Sequence, residues 1–166
     1  MKLACKNIGL NLEIKDALLE KMKKHGKEHY PNEYGGLLVG RYSDNFKSVL
    51  IEEIVLPKEY KSSRFKFERG AKGLKKVLHN FFGRSPSLSY VGEWHTHPDG
   101  IPVPSITDVA ALKMIVQHDE VYIENPVLLI ISIYREAYEL GFYVLFRNEI
   151  CHYEIVSKEL VNKIEK

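Results

Sequence analysis

The sequence predicts an α/β chain of the α+β type: a mixed, mostly antiparallel curved β-sheet flanked by helices. Three observations predict it. Apolar residues recur with a helical period in some segments and alternate in others. Near the C-terminus three apolar runs, 127–134, 139–147 and 150–156, follow one another across turns short enough for hairpins. The 166 residues are 45% hydrophobic, with 10 Tyr, 7 Phe and 1 Trp, enough to bury the core of one domain spanning 1–166.

Residues 12–29 read as an amphipathic helix, with Leu12, Ile14, Leu18, Leu19 and Met22 as its apolar stripe and Pro31 as its stop. Residues 34–42 read as a buried strand carrying Gly35, Gly36 and Gly40. Ser43, Asp44 and Asn45 form a turn signal before a strand at 49–56. Phe65, Lys66 and Phe67 alternate as a short strand. Residues 71–82 place Leu74, Val77, Leu78 and Phe81 on one helical face. A strand at 88–96, a proline-rich loop at 98–104 and a helix at 105–117, apolar through Val109, Leu112 and Val116, come next. Three strands follow, and 156–166 reads as a short charged helix. The spacings suit a sheet covered by packed helices.

Composition excludes several classes. Lys plus Arg is 24 and Asp plus Glu is 22, a net charge of +2. That is no concentrated positive field for a nucleic-acid backbone. Two cysteines, Cys5 and Cys151, make neither a disulfide framework nor a structural thiolate zinc site. No apolar run has signal-peptide length at the N-terminus, and none approaches the roughly 20 residues of a membrane span. The expectation is a soluble, cytoplasmic bacterial protein.

The chemistry is concentrated in Gly92-Glu93-Trp94-His95-Thr96-His97-Pro98, followed by Ser105 and Asp108. Residues i and i+2 of a strand point to one face, so His95 and His97 can share a metal ion. Asp108 lies in the first turn of the next helix, and the intervening loop is long enough to fold back. Two nitrogens and one carboxylate leave a fourth position open on zinc, the arrangement of a catalytic site. Ser105 and Asp108 also have the spacing of a capping box; capping and a place in the site are compatible.

These residues resemble the JAMM motif of the JAB/MPN metalloprotease family, which runs His-x-His-Pro, six residues, Ser, two residues, Asp. His95, His97, Pro98, Ser105 and Asp108 occupy every fixed position. The stretch Pro31-Asn32-Glu33-Tyr34-Gly35-Gly36-Leu37-Leu38-Val39-Gly40 is similar to the family's early catalytic element, with Glu33 in the glutamate slot. The variant Gly-Glu-Trp-His-Thr-His-Pro looks like the bacterial branch, whose members accompany activating and conjugating enzymes, some in anti-phage CBASS operons.

The resemblance implies a JAB/MPN-like, cytidine-deaminase-like fold and one Zn²⁺ per chain held by His95, His97 and Asp108. It implies Glu33 as the group that moves protons and Ser105 as the hydroxyl donating to a developing oxyanion. The implied substrate is the C-terminal tail of a ubiquitin-like or otherwise conjugated protein, cleaved as a peptide or isopeptide. Operon-encoded activating and conjugating enzymes would be partners; nucleic acid and membrane would not. A metal-free MPN-type interaction module and a hydrolase of small amide or sulfur-carrier adducts are the alternatives.

Glu93, two residues before His95, competes with Glu33 as base, or orients a ligand, or pairs with a lysine; spacing alone leaves these open. Among other residues, His25 and His29 read as solvated, His79, His118 and His152 as structural, Trp94 as core, and Cys151 as a small buried hydrophobe. The lysines at 21, 23, 24 and 27 read as a solvated face.

Overall fold

Leu10, Leu12 and Ile14 are buried while Asn11 and Glu13 are exposed, which is the two-residue period of a strand. The expected helix from residue 12 is therefore corrected: β2 covers Leu10–Ile14, and α1 begins only at Asp16 and runs to His29. An additional strand at the N-terminus, β1 (Lys2–Cys5), pairs with β2. The structure is a computed structural model that describes residues 1–119, 121–135 and 137–156.

The remaining elements are β3 (Gly35–Tyr42), β4 (Ser48–Val55), β5 (Tyr60–Ser63), β6 (Lys66–Arg69), α2 (Leu74–Phe82), β7 (Ser89–Pro98), α3 (Ile106–Val116), β8 (Val127–Tyr134), β9 (Ala137–Phe146), β10 (Glu149–His152) and β11 (Glu154–Ile155). The expected final strand is thus two strands broken at Tyr153. The single strand expected around Phe65 is a hairpin, β5 and β6, with Arg64 and Phe65 at its tip. The helix expected at 156–166 lies outside the described residues.

Among the described residues, nine strands form one sheet in the order β10-β9-β8-β7-β3-β4-β2-β1-β11. The pairs β2–β4 and β7–β8 are parallel and the rest antiparallel. The expected mixed, mostly antiparallel curved sheet is present. Its curvature follows from connectivity. Strands β10 and β11 lie at opposite edges, yet Tyr153 alone separates them in the chain, so the sheet must curl until its edges approach.

Helix α1 buries Leu18, Leu19 and Met22 in the main core, with Leu38, Ile51, Trp94, Leu129 and Ile131 from the sheet. The other sheet face carries α2, over Leu37, Val39 and Val55, and α3, whose Leu112 meets Leu128, Ile130 and Tyr143. Val116 is more exposed than its expected place on the α3 core face implied; Ile106 and Met114 are exposed too, and Leu112 is the buried anchor of that helix. Gly26 fixes how close α1 comes to the sheet: a β-carbon there would sit 2.6 Å from both Thr96 Cγ2 and Ile133 Cδ1. Thr96 lies between the two histidines, so α1 seats directly behind the strand that carries them.

Candidate metal centre and catalytic cleft

Strand β7 alternates as expected. Trp94 and Thr96 are buried on the core side, while Glu93, His95 and His97 line a cleft of about 770 Å³, within the range of ordinary ligand sites. Trp94 is core, and its indole Nε1 is buried without a hydrogen-bond partner among the described residues. Glu33 precedes β3, which runs antiparallel to β7 with Gly35 opposite His95. The ladder continues one step further, since Thr96 N–H donates to the Tyr34 carbonyl at 2.8 Å and the Tyr34 N–H donates to Thr96 Oγ1 at 2.9 Å. That register carries Glu33 to the same cleft end as His97.

The loop at 99–104 returns the chain to the site. Asp99 N–H donates to the Ile133 carbonyl at 3.0 Å, Ser132 Oγ donates to the Gly100 carbonyl, and Tyr143 OH donates to the Pro102 carbonyl at 2.8 Å. Gly141 permits the crossing, because a β-carbon there would overlap the Pro102 oxygen at 2.0 Å. Ser105 then caps α3. Its Oγ accepts from the Asp108 N–H at 3.2 Å, and its own N–H donates to Asp108 Oδ2 at 2.7 Å. The Ser105 hydroxyl also donates to Oδ2, at 2.7 Å. Oδ2 is thus occupied by the cap, and Oδ1 faces His95.

His95 Nε2 and His97 Nε2 are 3.0 Å apart; His95 Nε2 lies 3.4 Å from Asp108 Oδ1, and His97 Nε2 lies 3.8 Å from Asp108 Oδ2. Ligands about 2.0–2.1 Å from a tetrahedral zinc stand roughly 3.3 Å from one another. The three side chains therefore form a group able to hold a metal ion. The donor set, two imidazoles and one carboxylate, is that of an open site. His97 Nδ1 lies 2.9 Å from the Ile101 carbonyl oxygen, to which it donates, leaving Nε2 unprotonated toward the cleft.

The electrostatics separate the two acids. Burial pushes the Glu33 carboxyl up to about 7, with His95 drawing it down and Asp108 adding to the rise. Burial works against ionisation of Asp108 too, but hydrogen bonding and charge from His95, with the bonds from Ser105, outweigh it and hold Asp108 well below the usual carboxylate range. Burial, then the neighbouring His95, lowers His97, which favours the neutral imidazole that a metal needs. The two carboxylates thus differ: Asp108 is held ionised, while Glu33 keeps its proton up to about neutrality.

Glu93 shares the cleft but is engaged elsewhere. Its Oε1 accepts from Arg69 Nη2 at 2.5 Å and Nε at 3.0 Å, and from Tyr90 OH at 3.2 Å. The partner is an arginine, not a lysine. The solvated reading of His25 and His29 is corrected: both are half-buried, and His29 stacks on Tyr34 at 3.6 Å and lies 3.1 Å from Tyr60 OH. Arg64, Phe65, Phe67, Arg69 and Asp99 also line the cleft. The alternation of Lys66, Phe67, Glu68 and Arg69 was the available signal for their strand; long-range contacts such as Arg64 with Asp99 leave none.

An α+β fold with a His, His, Asp group at a strand end and a glutamate in the same cleft defines the JAB class of domain. The chain belongs to the family of prokaryotic homologs of the JAB domain, whose model matches residues 15–145. It is 34% identical over 120 residues to a CD-NTase/cGAS isopeptidase of Enterobacter hormaechei, covering 72% of this chain and 66% of the relative. It is 33% identical over 100 residues to a CD-NTase/cGAS isopeptidase of Pseudomonas aeruginosa (58% and 62%). To a probable metalloprotease of Sinorhizobium fredii it is 27% identical over 120 residues (71% and 73%). The matches thus span less than two thirds of the two isopeptidases' own length. The solution structure of a Desulfitobacterium hafniense protein shares the fold, with a TM-score of 0.63 at 19% identity over 87% of this chain and 91% of that one.

Proposed function

We propose that this protein is a zinc-dependent isopeptidase or peptidase that cleaves after the C-terminal tail of a ubiquitin-like or otherwise conjugated protein, with residues 1–166 as one catalytic domain acting in the bacterial cytoplasm. The observation that carries the reading is the convergence of His95, His97 and Asp108 beside a glutamate whose proton affinity lies near neutrality. The relatives named CD-NTase/cGAS isopeptidase support a conjugated nucleotidyltransferase as substrate, and with it a part in anti-phage defence alongside activating and conjugating enzymes.

His95 and His97 would bind Zn²⁺ through Nε2, and Asp108 through the oxygen that Ser105 leaves free. Zinc, when bound, supplies Lewis acidity to a carbonyl oxygen and makes a water molecule more acidic. Glu33, in the same cleft as the two histidines and Asp108, would accept the proton that the attacking water loses and return it to the leaving amine. The Ser105 hydroxyl, if it turns from Asp108 Oδ2, donates to the substrate oxygen as negative charge builds there. The β6 strand lines the cleft beside Glu33, and an extended tail can add to a strand edge of this kind.

The test is hydrolysis of a purified isopeptide-linked conjugate by the zinc-loaded protein, with a short amide substrate alongside. Release of the intact tail carboxylate from the conjugate, and its loss on removing zinc, supports the reading. Cleavage of the short amide alone would favour a small-substrate hydrolase, and retention of the conjugate without cleavage would favour an interaction module.

A further inference from the structure

Glu33 lies one residue beyond the Tyr34–Thr96 bonds that end the β3–β7 ladder, so strand pairing holds its neighbour but not its own N–H and carbonyl. The hairpin fixes it instead. Glu33 N–H donates to the Ser63 carbonyl at 2.8 Å, and the Glu33 carbonyl accepts from Ser62 Oγ at 2.5 Å. Both bonds come from β5, and they bracket the residue on its two sides.

The hairpin is itself tied down at both ends. At its base, the Tyr60 ring meets Tyr34 at 5.2 Å and Phe67 at 6.0 Å, and its hydroxyl lies 3.1 Å from His29 Nε2. At its tip, Arg64 Nη2 donates to Asp99 Oδ2 at 2.7 Å, and Tyr30 OH donates to the same carboxylate at 3.0 and 3.2 Å. Asp99 follows His97 by two residues and is anchored on β8 through its own N–H. The hairpin is thus a strap across the cleft, fastened near the metal centre and resting on Glu33.

We propose that Ser62 is a positioning residue for Glu33: its hydroxyl, through the Glu33 carbonyl, sets the direction from which the carboxylate enters the cleft. The inference rests on the assignment of Glu33 as the proton-transfer group. Proton transfer depends on heavy-atom placement to within tenths of an ångström, and a misplacement of about 1 Å can cost on the order of 100-fold in rate. A hydroxyl of Ser62 is short, half-buried and held by a strapped strand, so it can supply that precision where a free connection cannot.

The experiment compares Ser62→Ala and Ser62→Thr with wild type in the full, zinc-loaded chain. Three quantities are read: the exchange rate of the Glu33 amide by NMR, the split between kcat and KM on the isopeptide conjugate, and zinc content. Ser62→Ala leaves Glu33 tied to β5 only through its N–H on the Ser63 carbonyl, so that amide should open more often and exchange about tenfold faster while β8 amides stay unchanged. Its kcat should fall on the order of 10-fold to 100-fold with KM within about twofold and zinc retained. Ser62→Thr, which keeps the hydroxyl, should restore both. Unchanged Glu33 exchange in Ser62→Ala would overturn the proposal, and so would a rise in KM with kcat kept, or equal losses in alanine and threonine variants. A wild-type protein that cleaves no conjugate would instead contradict the assigned function, while the exchange measurement still decides whether Ser62 positions Glu33.

Discussion

Gly35 faces His95 across the β3–β7 ladder so closely that a β-carbon on Gly35 would lie 2.2 Å from the Trp94 carbonyl oxygen and 2.8 Å from His95 Cβ. The close approach joins the glutamate-bearing connection to the histidine strand. Gly35→Ala should therefore act on both. Overpacking of this kind costs roughly 1–3 kcal/mol, and denaturant unfolding should show it. Zinc affinity should fall with it, because His95 must shift. A variant with wild-type stability and zinc affinity would mean that β3 and β7 yield without disturbing the site.

The metal centre makes a stoichiometric prediction. Purified protein should carry close to one zinc per chain, and His97→Ala should lose it. Asp108→Asn should weaken binding as well, and it should also lower stability, because Asp108 closes the α3 capping box. The loss should be smaller than for removal of the Ser105 cap, because an asparagine oxygen can still accept from the Ser105 N–H. Elemental analysis and unfolding of the same samples check both; full zinc retention in His97→Ala would contradict the assigned ligand set.

The raised Glu33 carboxyl predicts a stability profile for the metal-stripped protein. The folded state holds this proton up to about pH 7, whereas the unfolded chain releases it near 4.5. The folded state binds more protons between those values, so stability falls as pH rises through that window and the full penalty stands above it. Glu33→Gln removes the penalty. The variant should melt close to wild type at pH 4.5 and above it at pH 8, both in chelator. A gap independent of pH would contradict the burial of an ionisable Glu33.

Ser105 has two tasks that one substitution separates. Ser105→Ala should cost about 0.5–2 kcal/mol as a lost cap and, if the hydroxyl reaches the substrate oxygen, roughly 10²–10³ in kcat. Melting and turnover measured together, with zinc confirmed, distinguish them. A lower melting temperature with normal turnover would leave Ser105 as a cap that holds Asp108 Oδ2 and nothing more.

Much of this arrangement was legible in the sequence because it is local. The i and i+2 spacing of His95 and His97 and the i and i+3 spacing of Ser105 and Asp108 are fixed by strand and helix geometry. The placement of Glu33 was legible through its resemblance to a known element, since the ladder that brings it to His97 is long-range. The N-terminal strands were misread because Leu12 and Ile14 run into the apolar stripe of α1, so that two periods overlap at one boundary. The hairpin and its bonds to Glu33 and Asp99 were not legible: Ser62, Arg64 and Asp99 carry no pattern of their own and meet only after folding. Spacing does not settle Glu93 for the same reason, since its arginine partner comes from β6.

The central claim is that Glu33, not Glu93, moves the proton at a zinc site. Glu33→Gln and Glu93→Gln should be compared with wild type on the isopeptide conjugate, with one zinc per chain verified in each. The account predicts that Glu33→Gln keeps its zinc and loses at least about 10²-fold in kcat, while Glu93→Gln, which loosens the contacts to Arg69 and Tyr90, loses much less. An active Glu33→Gln beside an inactive Glu93→Gln would contradict it.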